Sequence, residues 1–260
     1  MKKIISILAM AVLASCGPKY DKIIALSFDD GPSNVTADIL DILKKIIPPE
    51  EMFPVEKTES WLYHHAFGAW GEERWICLDI IRKYFGEPSC IKDIVDATAW
   101  LQCEGYKAIF EEARRQWPYC SMAINWCYNE PWITAANNSL LIYPCQKKPA
   151  YYAVADSLRP TLASARIPKF DWRAGETFSA ELWLLNDAPE TVSDTVTAEL
   201  VMGDKTYPLS VWETGAVGAN SNAKGANVSF VIPDNSEDAL TLRLTSAKGN
   251  SSEYKLKMMH

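Results

Sequence analysis

A chain of 260 residues is long enough for one large domain or two ordinary ones, and its 48% hydrophobic content excludes a disordered polymer. The net charge of -7, with no basic run beyond Lys-Lys pairs, argues against nucleic acid as a partner, which usually needs a positive stripe. Ten tryptophans are many for this length and point to stacking surfaces or a large core.

The first sixteen residues read as an export signal. Lys2 and Lys3 form the charged start, Ile4 to Leu13 the apolar segment, and Ala14-Ser15 the small-residue cleavage region. The apolar run is too short to span a bilayer. Leu13-Ala14-Ser15-Cys16 resembles a bacterial lipobox. That implies cleavage before Cys16, lipidation of this cysteine, and an exported envelope lipoprotein held to the membrane by its lipid alone. The six other cysteines include no C-x-x-C pair, so neither a zinc ribbon nor a thioredoxin-type site is indicated. An oxidising compartment permits disulfides, but a chain this long does not require them.

Residues 22–46 form the next unit. Ile23 to Phe28 reads as a strand, Asp29 to Ser33 as a turn, and Ala37 to Ile47 as a helix stopped by Pro48-Pro49. Leu26-Ser27-Phe28-Asp29-Asp30-Gly31-Pro32-Ser33 resembles the first motif of NodB-type polysaccharide deacetylases, carbohydrate esterase family four. Adjacent carboxylates at a strand end suit a general base beside a metal ligand. The resemblance implies Asp29 as base and Asp30 as ligand to a divalent metal such as zinc. That family completes its site with a His-Ser/Thr-x-x-x-His motif. The three histidines here are His64, His65 and His260. His64-His65 has the wrong spacing, and on a strand the two would face opposite ways.

From residue 47 to 160 the pattern is mixed. Ile47 to Pro54 is a polar, Pro-rich loop, and Trp61 to Trp75 is rich in aromatics. Helical spacing is predicted over Glu72 to Phe85 and again over Ile91 to Trp117, with Gly105 as a junction between two helices. Glu111-Glu112 against Arg114-Arg115 reads as a solvated helix face. Tyr119 to Trp126, with its Met122-Ala123-Ile124 run, reads as a strand buried on both faces. It opens into Asn125, Trp126, Tyr128, Asn129 and Trp132, and Pro131 ends it. Aromatic faces cover the apolar side of a pyranose and amides satisfy its hydroxyls, so this composition suits a sugar site. It equally suits large core residues with one polar atom each. A short apolar run at Leu140 to Tyr143 and a helix over Pro149 to Leu158 follow. Helix, strand, helix is the grammar of a parallel α/β structure.

Three collinear stretches carry a wider resemblance. They are Glu104 to Arg115, Ala123 to Trp132 and Lys148 to Val154. Together they resemble the last part of the catalytic barrel in glycoside hydrolase family two, nearest to the β-mannosidase and exo-glucosaminidase branch. The last strand of that barrel usually reads Trp-x-x-Asn-Asp-x-Trp-Pro. Here Trp126-Cys127-Tyr128-Asn129-Glu130-Pro131-Trp132 differs in the acid and in the Pro/Trp order. The resemblance implies hydrolysis of O-glycosyl bonds in oligosaccharides without a cofactor, with Trp126, Asn129 and Trp132 touching sugar.

After Thr161 the period changes to two. Phe178 to Leu184, Leu209 to Val211, Val228 to Phe230, Leu240 to Leu244 and Tyr254 to Met258 alternate, with Asn186-Asp187, Gly203-Asp204 and Lys248-Gly249-Asn250 as turns. Ala219 to Ala226 reads as a long loop. About seven short strands in this span predict an Ig-like antiparallel sandwich over residues 161–260. The fold class expected is therefore α/β plus all-β: an incomplete (β/α)8-barrel remnant, then the sandwich.

A retaining glycosidase needs two carboxyl groups about 5 Å apart. The strands that carry them in family two have no counterpart here, and the chain between Ile23 and Pro160 is too short to close a barrel of about 250 residues. Asn129-Glu130-Pro131 imitates the acid/base motif, but its place on the last strand favours a rim position or a salt bridge for Glu130. The expectation is a truncated or chimeric glycosidase-like protein lacking both catalytic carboxylates, joined to the deacetylase-like start between Lys44 and Pro48. The alternatives are a metal-dependent deacetylase and a non-catalytic envelope lipoprotein with an Ig-like module.

Overall fold

The computed structural model describes residues 35–67, 76–234 and 237–260. The export signal, Cys16, the expected strand at 23–28, Asp29 and Asp30 lie outside the described residues.

The first half is helical. Helix α1 (Val35–Ile46) ends where Pro48 and Pro49 follow, as proline spacing requires. It is followed by α2 (Glu59–Tyr63), α3 (Leu78–Phe85) and the long α4 (Ile91–Arg115). Ile39, Leu43 and Ile47 pack with Trp61, Ile81, Ile94 and Val95 in one apolar cluster. Within the stretch from Lys44 to Pro48, where a join was expected, Ile46 and Ile47 pack into this cluster while Lys44 and Lys45 stay exposed.

Helix α4 does not break at Gly105. A side chain there would meet nothing within 4 Å, so the glycine marks no close approach. Its cost of about 1 kcal/mol relative to alanine is small against the burial of Phe110 on the neighbouring helix α5 (Pro149–Ser157). Asp93 closes the start of α4 by accepting hydrogen bonds from the backbone N–H groups of Ser89 and Cys90 at 2.8 and 3.2 Å. Between α4 and α5 lie two short antiparallel strands, β1 (Leu141–Ile142) and β2 (Gln146–Lys147). Among the described residues no barrel and no parallel sheet forms in this half.

The second half is a sandwich of eight strands in two sheets. One sheet orders β4 (Asp171–Trp172), β10 (Ser252–Met258), β9 (Ala239–Ser246), β6 (Thr195–Met202) and β7 (Lys205–Glu213). The other orders β3 (Thr161–Arg166), β5 (Thr177–Asn186) and β8 (Ser221–Val231). Alternate residues point inward: Val196, Ala198, Leu200 and Met202 from β6 meet Phe178, Ala180 and Leu182 from β5. The pairing is antiparallel except for β4, which runs parallel to β10.

Most of the expected loop at 219–226 is instead the first part of β8, which begins at Ser221. Its Gly, Asn and Ala residues lack the bulk that marks a strand. At Gly225 the lack of a side chain is required by what lies across the sheets: a Cβ there would stand 2.7 Å from the Trp212 indole. Only a bare backbone admits a ring lying so close.

The two halves are locked together by the end of α4, and here the expected solvated face is overturned. Glu111 is 2% exposed, and Arg115 is buried beside it. Glu111 accepts hydrogen bonds from the hydroxyls of Ser164 at 2.6 Å and Tyr254 at 2.7 Å, both on sandwich strands. Arg166 grips Glu112 through two bonds of 2.6 and 2.9 Å, and Arg114 pairs with Asp187 at 2.8 Å. These charges are spaced like a surface helix pattern. They are buried because a second surface, out of reach of the local sequence, covers them.

Candidate functional site

The segment from Tyr119 to Trp132 is not a buried strand. It is an irregular arm whose one bridge to a named strand joins Asn129 to Leu141. Ile124 is 82% exposed and Trp126 78%. The physical reason is that a strand buried on both faces needs hydrogen-bonding neighbours on both sides. Among the described residues, the segment's one strand-type bridge is to the short β1.

The base of the arm is fixed. Glu130 N–H donates to the Leu141 carbonyl at 3.1 Å, and the N–H groups of Leu140 and Leu141 both reach the Tyr128 carbonyl at 3.0 Å. Asn125 is used within the arm: its oxygen accepts from the Tyr106 hydroxyl, and its amide donates to the Cys127 carbonyl at 2.8 Å. Asn129 stays exposed, with one 3.3 Å contact from its amide to the Glu130 carbonyl.

Glu130 lies beneath this arm, 2% exposed. Lys148 pairs with Oε1 at 2.8 Å, the Ser139 hydroxyl donates to the same oxygen at 3.0 Å, and Tyr143 N–H approaches Oε2 at 3.4 Å. Lys148 Nζ also donates to the Asn137 carbonyl and to Ser139 Oγ, each at 2.9 Å. Burial pushes the lysine below its ordinary range while Glu130 opposes that shift. The carboxylate is thus a buried structural charge with its oxygens occupied. It does not face solvent, as a proton donor to a sugar oxygen would need to do.

Trp132 sits at the other end of the arm inside a ring cluster. It stacks on His64 with centroids 5.9 Å apart and meets the edges of Tyr63 at 5.8 Å and His65 at 5.3 Å. His64 and His65 do not lie on a strand; they terminate α2. His64 Nδ1 lies 3.0 Å from the Ile133 carbonyl, a bond in which the ring nitrogen carries the proton. Ala135 N–H returns to the His64 carbonyl at 2.7 Å. The 132–135 stretch is therefore pinned to the end of α2. Composition marks 61–75 as aromatic-rich, but no local spacing connects residues 63–65 with 132, so the sequence alone does not bring Tyr63 and His65 to Trp132.

A cavity of about 430 Å³ lies behind the arm, walled by Ile39, Leu43, Trp61 and Ile94 with Glu130 and Lys148 at one end. Gln102, Thr134, Asn137 and Asn138 add polar groups to a lining that is otherwise largely apolar. Among the described residues, no three His, Cys, Asp or Glu side chains converge as a metal site. None of Cys77, Cys90, Cys103, Cys120, Cys127 and Cys145 forms a disulfide.

No protein-family model matches the chain. It is 31% identical over 107 residues to β-mannosidase B of Aspergillus niger, covering 38% of this chain and 13% of that enzyme. The corresponding enzyme of Neosartorya fischeri is 33% identical over the same length, 12% of its own chain. The chain therefore spans about an eighth of these relatives. Among solved structures, a β-D-mannosidase from Dictyoglomus thermophilum superposes with a TM-score of 0.63 at 17% identity, over 84% of this chain and 26% of that one. An exo-β-D-glucosaminidase gives a TM-score of 0.59 at 20% identity with the same coverage. The C-terminal part of the chain resembles glycoside hydrolase family two, and at these identities the structural likeness is one of fold.

Proposed function

We propose that the chain carries the sugar-contacting end of a β-mannosidase-type scaffold, with residues 47–160 as the remains of a (β/α)8 barrel, and that it binds oligosaccharide without hydrolysing it. The observation that carries this reading is the arm itself. Trp126 and Asn129 stand in solvent on a base held by a buried ion pair. Exposing an indole over a rigid anchor costs apolar burial and serves recognition of a ring with one apolar face.

Hydrolysis by double displacement needs two carboxyl groups about 5 Å apart around the scissile bond. Glu130 has Lys148, Ser139 and Tyr143 for neighbours instead. The expected outcome is no turnover of aryl β-mannoside or aryl β-glucosaminide, together with quenching of tryptophan fluorescence by β-linked oligosaccharide. Replacing Trp126 with alanine should weaken that binding about fivefold, since a lost stacking contact is worth roughly 1 kcal/mol. Turnover by the wild type that disappears in Glu130→Gln would sink the non-hydrolytic reading.

The leading sixteen residues support a place at the cell envelope, with lipid on Cys16. Palmitate labelling of the intact chain, absent from Cys16→Ser, is the corresponding test.

A further inference from the structure

We infer that Tyr63, His65 and Trp132 form a second wall of the sugar site, taking the apolar face of another neutral pyranose unit of the oligosaccharide held at Trp126. The inference rests on the proposed sugar-binding reading.

The argument starts from exposure. Tyr63 is 69% exposed although its ring touches two others, and His65 is exposed as well. Rings gathered for stability alone turn their faces inward, as Trp61 does two residues earlier. This cluster keeps ring surface in solvent and backs it with a half-buried indole.

The cluster is also held in place. His65 adopts left-handed backbone at φ 58°, which turns the chain sharply out of α2 and carries its ring to Trp132. The two bonds between His64 and residues 133 and 135 fix the opposite side. A ring surface that is both open and rigid loses little entropy when a ligand stacks on it.

The chemistry selects a neutral sugar. The open edges carry a phenol and an imidazole, which exchange hydrogen bonds with hydroxyls, while the ring faces suit axial C–H groups. Among the described residues, the ring contacts of these three side chains are with one another and with His64, and no ion pair involves them. Trp132 is six steps along the chain from Trp126, so at full extension their Cα atoms are at most about 22 Å apart. Both therefore fall within reach of a single oligosaccharide.

The test uses the full chain with two neutral probes, β-1,4-linked mannotriose and a β-1,4-linked N-acetylglucosamine trimer. Tyr63→Ala should weaken binding of the better probe about tenfold, and Tyr63→Phe should leave it within about twofold, because the ring face is what counts. Three histidines make the imidazole proton spectrum simple. On titration the His65 signal should shift, while that of His260, paired with Asp238 at the far end of the chain, stays still. If sugar binds and Trp126→Ala weakens it, yet Tyr63→Ala binds like the wild type and His65 does not move, the second wall is overturned and the sugar-binding reading stands. If the wild type binds neither probe, both fall.

Discussion

The sandwich and the helical half solve the same problem with unequal success. In the sandwich, every strand finds a partner within the next hundred residues, and Leu162, Phe178, Leu182, Leu200 and Leu242 are all sealed from water. In the helical half, a run with the composition of a buried strand hangs in solvent at Met122 and Ile124, and a cavity of about 430 Å³ remains among the helices. Burial depends on partners as well as on apolar residues. A hairpin-linked antiparallel sheet supplies its own, whereas a parallel strand waits for neighbours that must come from distant parts of a chain.

Separating the halves between Leu158 and Arg159 should give the largest effect. Residues 159–260 are expected to unfold in one cooperative urea transition. Residues 35–158 should unfold at lower urea, because Glu111 and Arg115 lose their sandwich partners, and bind a hydrophobic dye, because Trp100 loses the Phe170 ring it meets. A helical half that unfolds as sharply as the sandwich would break the contrast. Within the sandwich, Phe178→Ala should cost about 3–5 kcal/mol by urea titration, as expected for truncating a fully buried ring.

The junction lies between these extremes. Tyr254 donates to Glu111 and accepts from the Ala165 N–H at 2.9 Å. Burial, then the neighbouring Glu111 charge, pushes its phenol far above the ordinary range, so it stays protonated and keeps donating. Tyr254→Phe should cost about 1–3 kcal/mol, since two buried groups lose their partner. Gly225→Ala should cost a similar or smaller amount, about 1–3 kcal/mol, through the clash with Trp212. Pairing it with Trp212→Ala should recover part of that loss, which a double-mutant cycle would measure.

The junction should also respond to acid. Partial burial opposes ionisation of Glu112, but hydrogen bonds from Arg166, then Gln116 and Arg115, prevail and bring its carboxyl from 4.5 down to about 2. A carboxyl lowered on folding contributes stability above its unfolded value and loses it as pH falls toward the folded one. The contribution of Glu112 should therefore be complete above pH 4.5 and fade between 4.5 and about 2. Glu112→Gln should flatten the stability profile in that window and nowhere else. The smallest effect is expected at the arm, where Trp126→Ala should change unfolding free energy by less than about 0.5 kcal/mol while weakening sugar binding.

How much was legible follows the same division. Helices α1 and α5 and strands β5, β9 and β10 were readable, because proline stops and alternation are written within a few residues. Glu130 was readable as a candidate but not as the partner of Lys148, eighteen positions away. Tyr63 and His65 carried no pattern that tied them to Trp132.

By itself, the sequence determined where the chain alternates with period two and where it turns, and so that its last hundred residues close as two facing sheets. The tertiary structure decided which charges are buried, which apolar run stays in water, and that the stretch from Ser221 to Ala226 extends as a strand beneath Trp212. The periodicity of a segment is a property of its own residues. Its burial is a property of the surface opposite, which lies elsewhere in the chain.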